Sequence, residues 1–348
     1  MRTSNRRFKV KRLYIIGAGA SRCASTIQKK APLDKEFCEE ITYLDISRPS
    51  WVMESQDIVC NRWSYPSLFE EMGLEDAVLR QISHFEFLDA IHPRRRLTSI
   101  TGPEYVNHVA HLITFVLRRA KENSDKIYEQ FTSKVFSTNE ISTIQDRIIT
   151  FNYDDLLDKY LINKYTIQEV YFDRMKRSRY DSYRRPERFE HPLIVKLHGS
   201  VNWRCSTSDF KRIIDSKYRV KSNDEYVDIW FSEKGQPSPN DNVSPFIIPP
   251  LPNKPITEFG IFRYLWTKAY EYLHEAEEII ICGYSLPTTD QLAYSMFSNF
   301  TNRSINRVTI VDPDASILGK WRELLDRDNI YIKEWAWISD FYDFVDMM

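Results

Sequence analysis

The sequence predicts an α/β fold built on a parallel sheet covered on both faces, and three observations carry that prediction. Short continuous apolar runs recur along the chain, at Leu13 to Ile16, at Ile148 to Phe151, and within the stretches 193–200, 277–290 and 307–314. Such runs, continuous rather than alternating, mark buried parallel strands. Each run stops abruptly in glycine or polar residues, at Gly17, Asn152, His198, Gly283 and Asp312. The carboxyl ends of strands are where open α/β sheets place their ligands. Segments with apolar residues at three- and four-residue spacing separate the runs, as helices between strands would.

The 348 residues suffice for two domains, or for one α/β domain with a large insertion. A charged fraction of 28% and a hydrophobic fraction of 42% are ordinary for a globular protein. The net charge of −1 offers no bulk argument for binding nucleic acid or anionic lipid, so any such contact must come from a local patch. Five cysteines, Cys23, Cys38, Cys60, Cys205 and Cys282, are widely spaced and form no C-x-x-C pair. That pattern argues against a zinc ribbon or a disulfide framework and for reduced thiols in a cytoplasmic protein. The basic amino terminus and the run after it resemble a weak signal peptide, but the run is short and Arg22 soon follows, so it is read as a buried strand. No stretch approaches the ~20 apolar residues that a membrane span needs.

The chain centres on residues 146–154, D-R-I-I-T-F-N-Y-D. Residues two apart on a strand share a face, so Asn152 and Asp154 point the same way at the strand's carboxyl end. Upstream, R-L-Y-I-I-G-A-G-A-S (12–21) reads as a strand entering a glycine turn. Gly17 and Gly19 let the backbone approach a phosphate, and Ser21 is placed to cap a helix. Asp45 is the nearest candidate for a ribose-binding acid. From Pro66 to Ser137 the spacing is helical, with Pro103 at a first helical position. His84, His92, His108 and His111 fall here and are read as packing or surface residues, since no acidic third ligand accompanies them. The segment 174–188, R-M-K-R-S-R-Y-D-S-Y-R-R-P-E-R, offers a contact for nucleic acid or pyrophosphate, but a solvated loop is the preferred reading.

Residues 193–200, L-I-V-K-L-H-G-S, form another strand, which exposes His198 at a glycine turn. Trp203 then walls an apolar pocket or packs in the core. Residues 206–255 are polar and then proline-rich, and predict a loop-rich region with one or two hairpins. A helix follows over 256–276, then a strand ending at Gly283-Tyr284-Ser285, with Thr288 or Thr289 to cap the next helix. The strand in 307–314 ends at Asp312, which can accept hydrogen bonds from ribose hydroxyls. From Ile330 an edge strand and a short helix close the chain.

In this order G-A-G-A-S, T-F-N-Y-D, K-L-H-G-S, C-G-Y-S-L-P-T-T-D and V-D-P-D resemble the sirtuin-like superfamily, and most of all its bacterial branch of NAD-consuming anti-phage defence proteins. The resemblance runs from residue 12 to residue 314 and is most specific at the Asn-x-Asp and His-Gly pairs. It implies a Rossmann-like parallel sheet with helices on both faces plus a smaller, mostly helical module. The NAD-binding domain then comprises 1–60 and 140–348, with a loop-rich insertion over 203–255, and a helical module over 61–139 covers the cleft. Matched position by position, Asn152 and His198 are the catalytic Asn and His, and Asp154 is the acid on the nicotinamide side. Gly17, Ala18, Gly19 and Ser21 match the phosphate-binding turn, Gly283 and Ser285 the loop that closes on the dinucleotide, and Asp312 the adenosine side.

Two departures separate the chain from deacylating sirtuins. It lacks their four-cysteine zinc module, so no zinc is expected. After the glycine turn it reads R-C-A-S-T-I-Q-K-K in place of their Ile-Pro-Asp-Phe-Arg-like stretch. The expected activity is therefore hydrolysis of NAD+, as substrate, to nicotinamide and ADP-ribose. The alternatives are an NAD-dependent deacylase or ADP-ribosyltransferase, or a non-catalytic module that senses NAD or ADP-ribose. The resemblance further implies a homo-oligomer triggered by a partner such as a HerA-type ATPase or an Argonaute-like protein, without a membrane.

Overall fold

The structure is a computed structural model that describes residues 10–26, 29, 31–33, 36–37, 49–62, 73–91, 100–179, 191–214, 227–232, 237–249, 260–287, 290–300, 305–326 and 331–348. Asp45, His92, Thr288, Thr289 and residues 180–188 of the basic segment lie outside them.

Six strands form one sheet: β1 (Arg12–Ile16), β2 (Arg147–Thr150), β3 (Ile194–Lys196), β7 (Glu278–Cys282), β8 (Ile305–Val311) and β9 (Ile332–Ile338). Their order is β3-β2-β1-β7-β8-β9, and every pairing is parallel. This is the Rossmann-like doubly wound arrangement, whose strand order reverses between β1 and β7. The apolar runs explain the position of the central strands, since Leu13, Tyr14, Ile15, Ile148 and Ile149 are all fully buried. Residues of both parities are covered, so both faces carry a layer. On one face Phe131, from the helix Ile127–Val135, meets the edge of Tyr14 at 5.1 Å. On the other, Arg147 lies 5.9 Å from the ring of Tyr272 in the helix Gly260–Glu275.

Between β1 and β2 the chain runs through helices, among them Leu74–Ile91, Gly102–Leu117 and Ile127–Val135. Pro103 stands in the first turn of the second of these, as its fixed φ favours. A capping box at its start, with Thr101 and Glu104 bonding each other's backbone N–H, fixes where it begins.

The region expected to be loop-rich with one or two hairpins contributes two strands to a second, antiparallel sheet, and a strand that begins just before it contributes the third. Strands β4 (Gly199–Ser206), β5 (Trp230–Phe231) and β6 (Val243–Ile247) pair antiparallel in the order β5-β4-β6. The helix Gly102–Leu117 packs on this sheet, and its Asn107 accepts a hydrogen bond from Ser244 Oγ at 2.9 Å. Trp203 lies in the core, edge-on to Tyr171 and Phe172 at 5.0 and 5.4 Å. The edge strand and helix expected at the end of the chain are β9 and Phe341–Met347. Among the described residues no helix is long and apolar enough to cross a membrane.

Candidate active site

The site lies where the carboxyl ends of β2, β1 and β7 meet. Asn152 follows β2, and its side chain is fixed rather than free to rotate. Nδ2 donates to Gly17 O at 2.9 Å and to Ser21 Oγ at 3.0 Å, and the Asn152 N–H donates to Thr150 Oγ1 at 3.1 Å. Thr150 Oγ1 itself donates to Ile16 O at 2.9 Å. One asparagine thus ties the end of β2 to the turn after β1, and stays half-buried.

The glycine turn serves close packing. The Gly19 N–H donates to Gly283 O at 2.9 Å, and a Cβ at Gly17 would stand 2.3 Å from that oxygen. Gly283 has φ +59°, and a Cβ there would stand 2.2 Å from the Ala20 nitrogen. These glycines let the turns after β1 and β7 touch. The helix they open, Ala18–Ala24, has Gly17 at its N-cap. Ser21 is therefore not the cap that the sequence suggested. It lies inside the helix, buried, with Oγ 2.9 Å from Tyr128 OH of the helix Ile127–Val135.

Asp154, like Asn152, follows the end of β2 at Thr150. Both line a small cavity of about 10 Å³, together with Ser21, Tyr128, Thr150, Asp158 and Lys196. That is room for roughly one water among many polar partners. Asp154 Oδ1 accepts from Leu156 N at 3.1 Å. Burial pushes its carboxyl above the ordinary value, against the pull of Lys196 and of a hydrogen bond from Ser21. Lys196 donates to Asp154 O and forms a 2.9 Å ion pair with Asp158, both side chains almost wholly buried. Asp158 also accepts from Tyr171 OH at 2.7 Å, and burial raises its carboxyl as well. Lysine rarely lies inside an apolar strand, and the run L-I-V-K-L was the signal that could have exposed this cluster.

His198 is not exposed as the sequence suggested: β4 begins at Gly199 directly after it, and the residue is buried between β3 and β4 and does not line that cavity. A series of hydrogen bonds holds its segment against the residues after β2. Leu197 N donates to Thr150 O at 3.1 Å, Val201 N to Tyr153 O at 2.8 Å, and Ile248 N to His198 O at 2.8 Å. The Tyr153 hydroxyl closes the series on Ile248 O at 2.7 Å. The imidazole therefore sits 5.5 Å from the ring of Phe151 and 5.9 Å from that of Tyr153, the two neighbours of Asn152. Its Nε2 lies 3.1 Å from Asp290 Oδ2. Asp290, not Thr288 or Thr289, caps the helix Gln291–Asn299, with its side chain accepting from Ala293 N at 3.3 Å.

Ala18 and Ser285 are exposed near the rim, and Leu286 beside Ser285 adopts a left-handed φ of +51°. Such a backbone is unusual for leucine. Asp312 lies at the same end of the sheet, three strand spacings or roughly 14 Å from β2. It accepts from Asp314 N at 2.9 Å, and burial raises its carboxyl. His108 and His111 behave as packing residues, the first 2.9 Å from Ser55 Oγ and the second 2.7 Å from Pro237 O. Among the described residues no group of three or more His, Cys, Asp or Glu is placed to hold a metal ion.

The profile of the SIR2-like domain matches residues 146–325, just over half of the chain. The chain belongs to the SIR2-like family. The family uses NAD+, so the function it supports here is NAD-related. The match covers Asn152, Asp154, His198, Gly283, Ser285, Asp290 and Asp312. The SIR2-like match begins after the glycine turn, yet β1 carries that turn between β2 and β7. A comparison with curated proteins found no match.

Proposed function

We propose that this SIR2-like protein is an NAD+ glycohydrolase, cleaving the nicotinamide–ribose bond to give nicotinamide and ADP-ribose. The observation that carries the proposal is the fixed amide of Asn152. It stands at the end of β2, beside the reversal of strand order, held by Gly17 and Ser21, with Asp154 on the same cavity. Preorganised polar groups at a reacting carbon need no rearrangement during the reaction.

Cleavage builds positive charge on the ribose, as in glycoside hydrolysis. The nicotinamide leaves with the electron pair of the C1′–N bond and becomes neutral, so no general acid is required. A water forms the new C1′–O bond, and its proton passes to a base. Asn152 positions the water or a ribose hydroxyl through its amide. His198 is the base, an imidazole being able to accept a proton near neutral pH. Asp154 orients the carboxamide or stabilises the developing cation. The dinucleotide then extends from Gly17, Ala18, Gly19 and Ser21 past Gly283 and Ser285, with Asp312 on the adenosine side.

The absence of a four-cysteine module from the sequence supports hydrolysis over acyl-lysine chemistry. The resemblance to the NAD-consuming defence branch supports a role as the toxic effector of a bacterial anti-phage system. In that role the enzyme works in the cytoplasm as a homo-oligomer, released by a partner such as a HerA-type ATPase or an Argonaute-like protein. Incubating the purified protein with NAD+ and resolving the products by chromatography tests the reaction. Nicotinamide and ADP-ribose in equal amounts are expected. Nicotinamide release that requires an acylated peptide would overturn hydrolysis in favour of deacylation.

A further inference from the structure

We propose that Asp290 is a positioning residue for His198, holding the imidazole in one orientation and one tautomer through its Nε2–H. The proposal rests on the reading of His198 as the base in NAD+ cleavage, and it adds a residue from a separate element. Asp290 comes from the far end of the loop after β7, and His198 from the turn after β3. Their side chains meet at 3.1 Å with relative exposures of only 5% and 7%.

Capping alone does not account for a carboxylate here. Serine or asparagine caps a helix as well as aspartate does. A buried carboxylate is costly unless donors reach it, and His198 supplies one such donor. The helix amino terminus adds favourable potential, because the helix Gln291–Asn299 points its positive end at Asp290. The imidazole meanwhile lies in an aromatic box, 5.5 Å from Phe151, 5.9 Å from Tyr153 and 6.5 Å from Trp266. Aromatic walls confine the plane of a ring but do not choose between its nitrogens. A carboxylate on Nε2 does choose, because it stabilises the tautomer with the proton on that atom.

The two roles of Asp290 separate by substitution. Asp290→Asn and Asp290→Ser keep a cap and remove the charge. Both variants are expected to melt within a few degrees of wild type. Their kcat for nicotinamide release should fall about 10- to 100-fold with KM changed less than threefold, as for loss of a residue that orients a catalytic group. A ¹⁵N spectrum of the labelled histidines, with His198 assigned by its loss in His198→Gln, supplies a readout independent of turnover. In wild type the His198 Nε2 resonance should be that of a protonated nitrogen, and in Asp290→Asn it should move toward a tautomer average. An unchanged kcat in a folded Asp290→Asn, or an unchanged His198 resonance, overturns the proposal. Should wild type release no nicotinamide, the hydrolase reading fails, and the resonance alone decides whether Asp290 holds the ring.

Discussion

The rings of Phe151 and Tyr284 stack 4.3 Å apart and within 1° of parallel, joining the end of β2 to the loop after β7. The strand β1 lies between those two, so the stack bridges it. Gly17 ends β1 at this point, and a Cβ there would stand 2.6 Å from Tyr284 Cβ. The missing side chain of Gly17 is what allows Tyr284 to reach Phe151. The same glycine receives the Asn152 amide on its carbonyl, so the packing beneath the site and the placement of its central residue share one backbone position.

Gly17→Ala and Gly283→Ala should both destabilise the protein. Overpacking of this kind costs about 1–3 kcal/mol. Gly283→Ala should cost more, because the left-handed φ of +59° adds about 1–2 kcal/mol for a residue with a Cβ. Urea unfolding of the three proteins measures both values. Wild-type midpoints for either variant would show that the turns after β1 and β7 do not touch as described.

The Phe151–Tyr284 stack separates apolar packing from polar function. Phe151→Ala removes a buried ring and should cost about 3–5 kcal/mol. Tyr284→Phe keeps the stack and removes a buried hydroxyl that has no hydrogen-bond partner among the described residues. Its stability should be equal to wild type or higher. A clear loss of stability in Tyr284→Phe, read by thermal melting, would mean that the hydroxyl is bonded.

Lys196 is the cation of a cluster that holds two buried acids, Asp154 and Asp158. Lys196→Met leaves Asp158 buried without its ion pair and should cost about 3–5 kcal/mol. Adding Asp158→Asn to that variant should recover part of the loss, because the uncompensated charge is gone. A double variant no more stable than Lys196→Met would show that the charge is not the cause.

The raised carboxyls give a signed pH dependence. A carboxyl held above its unfolded value contributes stability below the unfolded pKa, and that contribution is lost as pH rises through the folded value. Burial raises Asp154 and Asp158 in this sense. The stability of wild type minus that of Asp154→Asn should therefore decrease as pH rises from the ordinary carboxylate range toward neutrality. A difference that grows over this range in parallel melting curves would contradict the assignment.

Much of this arrangement was legible in the chain itself. The strands β1, β2, β3, β7 and β8 follow the apolar runs, because a strand buried on both faces has little use for polar residues before its end. Asn152 and Asp154 do line one cavity, but not through a shared strand face, because β2 ends at Thr150 before both. The strand β4 was harder to read. Val201, Trp203 and Cys205 alternate with Ser200, Asn202 and Arg204, which suggests a face open to water. All six are buried, with Asn202 Nδ2 donating to Tyr171 OH at 3.0 Å and Arg204 donating to backbone carbonyls. Nor could spacing show that Asp290 meets His198, or that Tyr128 meets Ser21. Those pairs join distant segments and form only when the sheet and its covering helices assemble.

The central claim is that the Asn152 amide, held by Gly17 and Ser21, directs cleavage of the nicotinamide–ribose bond. Chromatographic measurement of NAD+ loss by wild type and Asn152→Ala, with melting curves to confirm folding, tests it most directly. Wild type should yield nicotinamide and ADP-ribose in equal amounts, and the folded Asn152→Ala variant should be slower by at least about 100-fold. Turnover by Asn152→Ala at the wild-type rate would contradict the claim.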